Sequence, residues 1–177
     1  MTGILEGFRK EFLRYKNAGE KALAQVSDDA LNRVPSADGN SMAMIVRHIS
    51  GNLVSRFTDF LTSDGEKPWR QRDTEFETRA YSRAEVEELW RRGRGVLEAQ
   101  MDTLTESDLR KSVNIRGRVS TAHEALTRFV AHVAYHVGQI VLLARISAES
   151  EWKWISIPKG MSEAYNQDPA RETKPTR

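Results

Sequence analysis

The spacing of the apolar residues constrains this chain more than any other feature. From Ile4 to Val26, the residues Ile4, Leu5, Phe8, Phe12, Tyr15, Ala22, Leu23 and Val26 fall mostly at three- and four-residue steps, with charges opposite. That period is the mark of a helix with one buried face. Three further segments repeat it. The second runs over Met42–Leu61 through Met44, Ile45, Ile49, Leu53, Phe57, Phe60 and Leu61, with Ser41 placed as its N-cap. The third starts after Ser82, with Glu85 three residues on as a capping box, and reaches Leu104 through Val86, Leu89, Trp90, Val96, Leu97 and Met101. The fourth spans Thr121 to Ser147.

The connections are equally legible. SDDALNRVPSADGN is a Ser/Asp/Pro/Gly loop with one short turn at Asp28–Arg33. SDGEKPWRQRDTEFETRAY has no sustained period and reads as a long surface connection, of a length that is often functional. Thr105 caps a turn in TESDLRKS, and VNIRGRVST is extended or hairpin-like. The expected fold is all-α, a four-helix bundle with a long connection between the second and third helices and an irregular C-terminal tail. That connection could cross the bundle, so a simple up-down-up-down order is not assumed. Residues 1–167 form one domain in this reading, and 168–177 have the composition of a disordered tail.

Composition narrows the function classes. Of 177 residues, none is cysteine, which excludes disulfides, thiolate ligands and a cysteine nucleophile. Any metal site must use His, Asp, Glu, backbone or water. The net charge is +2, with 27 basic residues interleaved among 25 acidic ones, so no nucleic-acid partner is expected. The apolar stretches are interrupted by His, Gly, Gln or Arg before the ~20 residues of a membrane span, so no membrane partner is expected. The first residues, MTGILEGFRKEF, carry charges too early for a signal-peptide core, which points to a cytoplasmic protein.

Two of only four histidines stand in HVAYHVGQ, on the most hydrophobic segment of the chain. Residues four apart on a helix lie about 40° around and ~6 Å along from each other, so His132 and His136 project side by side. Phe129, Val133 and Ile140 share their inward sector. Imidazoles facing a core need hydrogen-bond partners or a cation, and two neutral rings can share a divalent ion as ligands. His48, among Ile45, Ile49 and Asn52 on the second helix, is the third candidate ligand. Three imidazoles with an open position make a catalytic type of site that suits zinc, nickel or iron. Ordinary core histidines are the alternative. His123 lies outside this sector and reads as structural or solvent-facing.

The remaining polar candidates are Asn52 and Gln139, which could orient a bound group or substrate, and Arg128. Arg128 either faces the cavity and holds an anion or pairs with Glu124 on the helix surface. The HExxH glutamate of zinc proteases is absent, since Val133 and Ala134 follow His132. Trp152 and Trp154 in WKWISIP either pack on the bundle or roof the cavity, and Trp69 and Phe76 either cover the cavity or anchor the long connection. Tyr135 points away from both ligands and reads as a packing residue.

The histidine within IVRHISGN, the run RFVAHVAYHVGQIVLLAR and the tail WISIPKGMSEAYN together resemble the DinB/YfiT-like superfamily, in particular a DinB-like branch of unassigned function. The resemblance covers nearly the whole chain. It implies a four-helix bundle, a metal site at His48, His132 and His136 filled by zinc or nickel, and a homodimer. Some relatives are S-transferases that use a low-molecular-weight thiol, while others are isomerases or hydrolases. The expectation is therefore a metal-dependent enzyme acting on a small-molecule substrate. A thiol S-transferase stands first, a hydrolase second, and a non-catalytic metal-stabilised binding or dimerisation module third.

Overall fold

The computed structural model describes residues 3–167. The proposed disordered tail lies outside these residues. Among them the chain forms four long helices: α1 (Ile4–Leu23), α3 (Met42–Phe57), α4 (Arg83–Thr103) and α5 (Ala122–Ser147). Two short helices, α2 (Asp28–Asn32) and α6 (Ser162–Asn166), two 3-10 turns (Asp73–Phe76 and Glu106–Arg110) and an antiparallel hairpin of β1 (Ser112–Ile115) and β2 (Arg118–Thr121) complete the described fold. It is the all-α bundle expected, with one small two-stranded addition.

Three of the four long helices start at a residue whose side chain satisfies an orphan backbone donor. Ser41 accepts from the Met44 amide at 3.2 Å. Ser82 with Glu85, and Thr121 with Glu124, form reciprocal capping boxes at the heads of α4 and α5. Two helix ends fall short of the apolar pattern. The second helical segment stops at Phe57, because Thr58 is extended and Asp59 has a left-handed φ of 51°. Phe60 still reaches the core from the loop, with its ring centroid 5.5 Å from that of Phe57, so the hydrophobic sequence outlasts the helix. Likewise α1 ends at Leu23, and buried Val26 follows outside it. The Arg83 guanidinium donates to the carbonyls of Leu23 and Val26 at 3.1 and 2.6 Å and closes that end.

Nearly all of α3 is buried, and it is the central element. It packs most extensively on α4, while α1 packs on α5, and a diagonal contact joins α3 to α5. Phe57, Phe60 and Phe129 stack at this diagonal with Phe12 from α1 against Phe57. The α3–α5 contact sets the two histidine-bearing faces against each other. By length and composition alone α5 could cross a membrane, with a mean hydropathy of 1.4 over its best window. The interruptions noted in the sequence do not lower that mean enough. In the fold, its Phe129, Val133, Val137 and Ile140 are buried core.

Candidate metal centre

His48 is carried on the buried face of α3, one turn before Asn52, and His132 and His136 on successive turns of α5. Their ring nitrogens offer one donor each within 4.8 Å of one another. Nε2 of His48 lies 3.2 Å from Nε2 of His132. The centroids of His132 and His136 are 4.6 Å apart, and His48 is 4.8 Å from His136. Ligand nitrogens at ~2.1 Å from a common ion stand about 3.0 Å apart at right angles and about 3.4 Å apart at the tetrahedral angle. The His48–His132 separation falls between these values, so that pair fits a common divalent ion, with the His136 donor within 4.8 Å of both.

Burial and mutual repulsion favour the neutral form of the two α5 rings. Desolvation, then the neighbouring His136 and His48, push the His132 imidazole down to about 3. Desolvation and His48 likewise lower His136, against the hydrogen bond it donates to Gln139, which raises it. Neutral imidazole is the form that ligates a metal.

Two rings are held in a set tautomer by partners on their far side. His48 Nδ1–H donates to Glu75 Oε2 at 2.8 Å, which leaves Nε2 as a lone-pair donor. Gln139 Oε1 lies 3.1 Å from Nδ1 of His136 and does the same for that ring. His132 Nδ1 is buried without a protein partner. Glu75 is in turn gripped by Arg70, whose Nε and Nη2 each reach a different carboxylate oxygen at 2.8 Å. Burial alone would raise the Glu75 carboxyl, but hydrogen bonds and charge from Arg70 and His48 outweigh it and hold the group below the usual range.

Glu75 and Arg70 lie in the long connection, where neither a period nor a motif marks them. The length of that connection was the available signal. It is pinned over α3 by Arg47, which donates to the Tyr81 hydroxyl at 2.9 Å and to Thr74 Oγ1 at 3.1 Å. Phe76 lies on the His48 ring at 4.7 Å between centroids, while Trp69 is half-exposed. Gly51, one turn from His48, gives the Glu75 carboxylate its room on α3: a methyl there would stand 2.9 Å from the carboxyl carbon and collide with Oε1.

Beside the histidines lies a cavity of about 540 Å³. His48, His132, Asn52, Phe129 and Ile115 form part of its wall, and six arginines form the rest: Arg56, Arg70, Arg72, Arg116, Arg118 and Arg128. Of the two readings for Arg128, the structure favours the cavity. Glu124 is spent on the Thr121 cap, and among the described residues Arg128 forms no ion pair. His123 is exposed and edge-on to Phe8, as a structural histidine. Trp152 and Ile155 pack on the core, while Trp154 is part-exposed under the Arg145 guanidinium, and none of the three lines the cavity. Tyr135, read as a packing residue, is exposed, with its ring edge-on to that of His136 at 4.9 Å between centroids.

Fold and site together define a helical-bundle protein whose three inward histidines fit metal binding. The chain belongs to the DinB-like family described as "Protein of unknown function (DUF1572)", which it matches over residues 2–161. It is similar in fold to a DinB-like protein from Bacillus cereus ATCC 10987, known from a crystal structure at 2.01 Å resolution. The two share 18% identity and a TM-score of 0.59, over 86% of this chain and 100% of that one. No curated protein matches the chain.

Proposed function

We propose that His48, His132 and His136 bind one divalent ion, zinc or nickel, and that the protein is a metal-dependent enzyme for a small molecule held in the adjoining cavity. One observation carries this reading: three imidazoles offer ligand atoms within 4.8 Å of one another, and two of them, His48 and His132, line a cavity large enough for a substrate. An ion there supplies Lewis acidity that lowers the pKa of a thiol or water brought to it. Glu75 and Gln139 orient the ligating rings. Asn52 offers the substrate a neutral polar contact one turn from His48, and Arg128 offers a charged one.

A low-molecular-weight-thiol S-transferase suits this wall better than a hydrolase. The nearby carboxylates are already engaged: Glu75 by Arg70 and His48, and Glu66 by Arg56 and Arg116. No free general base therefore faces the cavity among its lining residues. A thiol with a free pKa of about 8.5 needs only a small depression to ionise at neutral pH, whereas water must fall from 15.7 to about 7. The hydrolase remains the second reading, and a non-catalytic metal-stabilised module the third. The homodimer expected from the family likeness belongs to this proposal too. It is supported by Tyr135, Leu142 and Ile146, which expose one apolar face of α5. A cytoplasmic location, with no membrane or nucleic-acid partner, completes it.

Metal analysis of untagged protein tests the site. We expect about one ion per chain, lost in His136→Ala. In the cobalt-substituted protein, added thiol or azide should change the visible spectrum. An unchanged spectrum would indicate a closed, structural ion and sink the enzyme reading.

A further inference from the structure

The arginines of the cavity are too many and too poorly paired to be a solvated surface. Arg56 and Arg70 are only 6% and 9% exposed, and each keeps a buried Nη1 with no protein partner. Both line the cavity. A buried guanidinium nitrogen without an acceptor is costly, so this wall holds more guanidinium than its own acceptors satisfy. Their acidic partners are shared. Glu66 Oε2 takes Arg56 at 2.9 Å and Arg116 at 2.7 Å, and Glu75 is divided between Arg70 and His48. Arg118 and Arg128 form no ion pair among the described residues, and Arg72 has only a 3.7 Å approach to the fully exposed Asp73. Positive charge therefore exceeds negative on this wall by several units, although the whole chain carries only +2.

The local fold builds this wall deliberately. Arg116 and Gly117 form the hairpin tip with φ of 55° and 70°, the left-handed pair that a tight two-residue turn demands. Their amides donate to the two oxygens of Asp64 at 2.8 and 2.9 Å. The Gly65 amide also donates to the Asn114 carbonyl at 2.8 Å. The hairpin is thereby tied to the long connection, and its Arg116 and Arg118 line the cavity together with Arg56, Arg70 and Arg128.

We infer that this cavity is a binding site for a small anion of at least two negative charges, carried on phosphoryl or paired carboxylate groups, lying beside the three histidines. Guanidinium forks match the geometry of both groups. The site is concave and partly buried, which suits a small molecule better than a nucleic-acid backbone. The inference deepens the proposed function by naming the substrate's charge class, and its test does not depend on the ion.

The test is calorimetric titration of the chelator-treated protein with pyrophosphate, citrate, succinate and a neutral diester of succinate, at constant ionic strength. Pyrophosphate or citrate should bind, the neutral ester should not, and the phosphoryl and carboxylate arms identify the preferred group. Affinity should fall about tenfold for each guanidinium removed in Arg118→Gln and Arg128→Gln, both exposed and safe for folding, and should be unchanged in Arg91→Gln on the outer face of α4. His136→Ala should lose the metal and keep the anion. Equal binding in the Arg118/Arg128 double variant and in Arg91→Gln would overturn the inference. So would binding confined to a single-stranded oligonucleotide, or no anion binding at all in a protein that still takes up its ion. Anion binding without any metal uptake would instead refute the metal reading alone.

Discussion

Replacing Gly51 with alanine tests the link between the long connection and the histidines. In a helix interior, Gly→Ala normally stabilises by about 1 kcal/mol. Gly95, in the middle of α4, should behave so, because a methyl there meets nothing within 4 Å among the described residues. At Gly51 the methyl collides with Glu75 Oε1 and lies 2.9 Å from its carboxyl carbon. Glu75 must withdraw, and its bonds to His48 and Arg70, each 2.8 Å, are lost or distorted. Breaking a buried ion pair costs roughly 3–5 kcal/mol, so after the propensity gain the net loss is about 2–4 kcal/mol. In a chain of this size that lowers the melting temperature by roughly 4–16 °C. With His48 no longer oriented, metal affinity should fall about 10–100-fold. Denaturant unfolding of chelator-treated protein measures the first effect, and competition with a chromophoric chelator the second. If Gly51→Ala is stabilised like Gly95→Ala and binds its ion unchanged, then Glu75 does not lie against α3 and does not support His48.

Glu75→Gln should weaken the ion by a similar factor, and the Gly51→Ala/Glu75→Gln double variant should be no worse than either alone, since both remove one carboxylate's support. Chelator competition on all three variants checks this. Phe57→Ala removes a ring that is 1% exposed and touches three others, so it should cost about 3–5 kcal/mol in denaturant unfolding. It lies about 13 Å along α3 from His48, so the folded protein should still take up one ion. Free ion at 100 times its dissociation constant should stabilise the wild type by about 2.7 kcal/mol, read as a rise in melting temperature of roughly 5–11 °C that His136→Ala lacks.

What the sequence could determine by itself is what is local. Helix period, the caps at Ser41, Ser82 and Thr121, and the i, i+4 pair of His132 and His136 all depend on neighbours within one or two turns. His48 was legible for the same reason, as a polar residue on an otherwise apolar face. The end of α3 was not, because Phe60 is buried from a loop and keeps the hydrophobic pattern running past the last helical residue. Tertiary structure alone decided the rest. Glu75 and Arg70 sit in a segment with no period, and they become buried partners of His48 only because Gly51 leaves a gap on α3 for a carboxylate to enter. The arginines of the cavity come from α3, the long connection, the hairpin and α5, where each except Arg128 reads as an ordinary surface charge. Charge carries no periodicity that announces which residues will share a wall, so only folding brings those guanidiniums to one face beside the histidines.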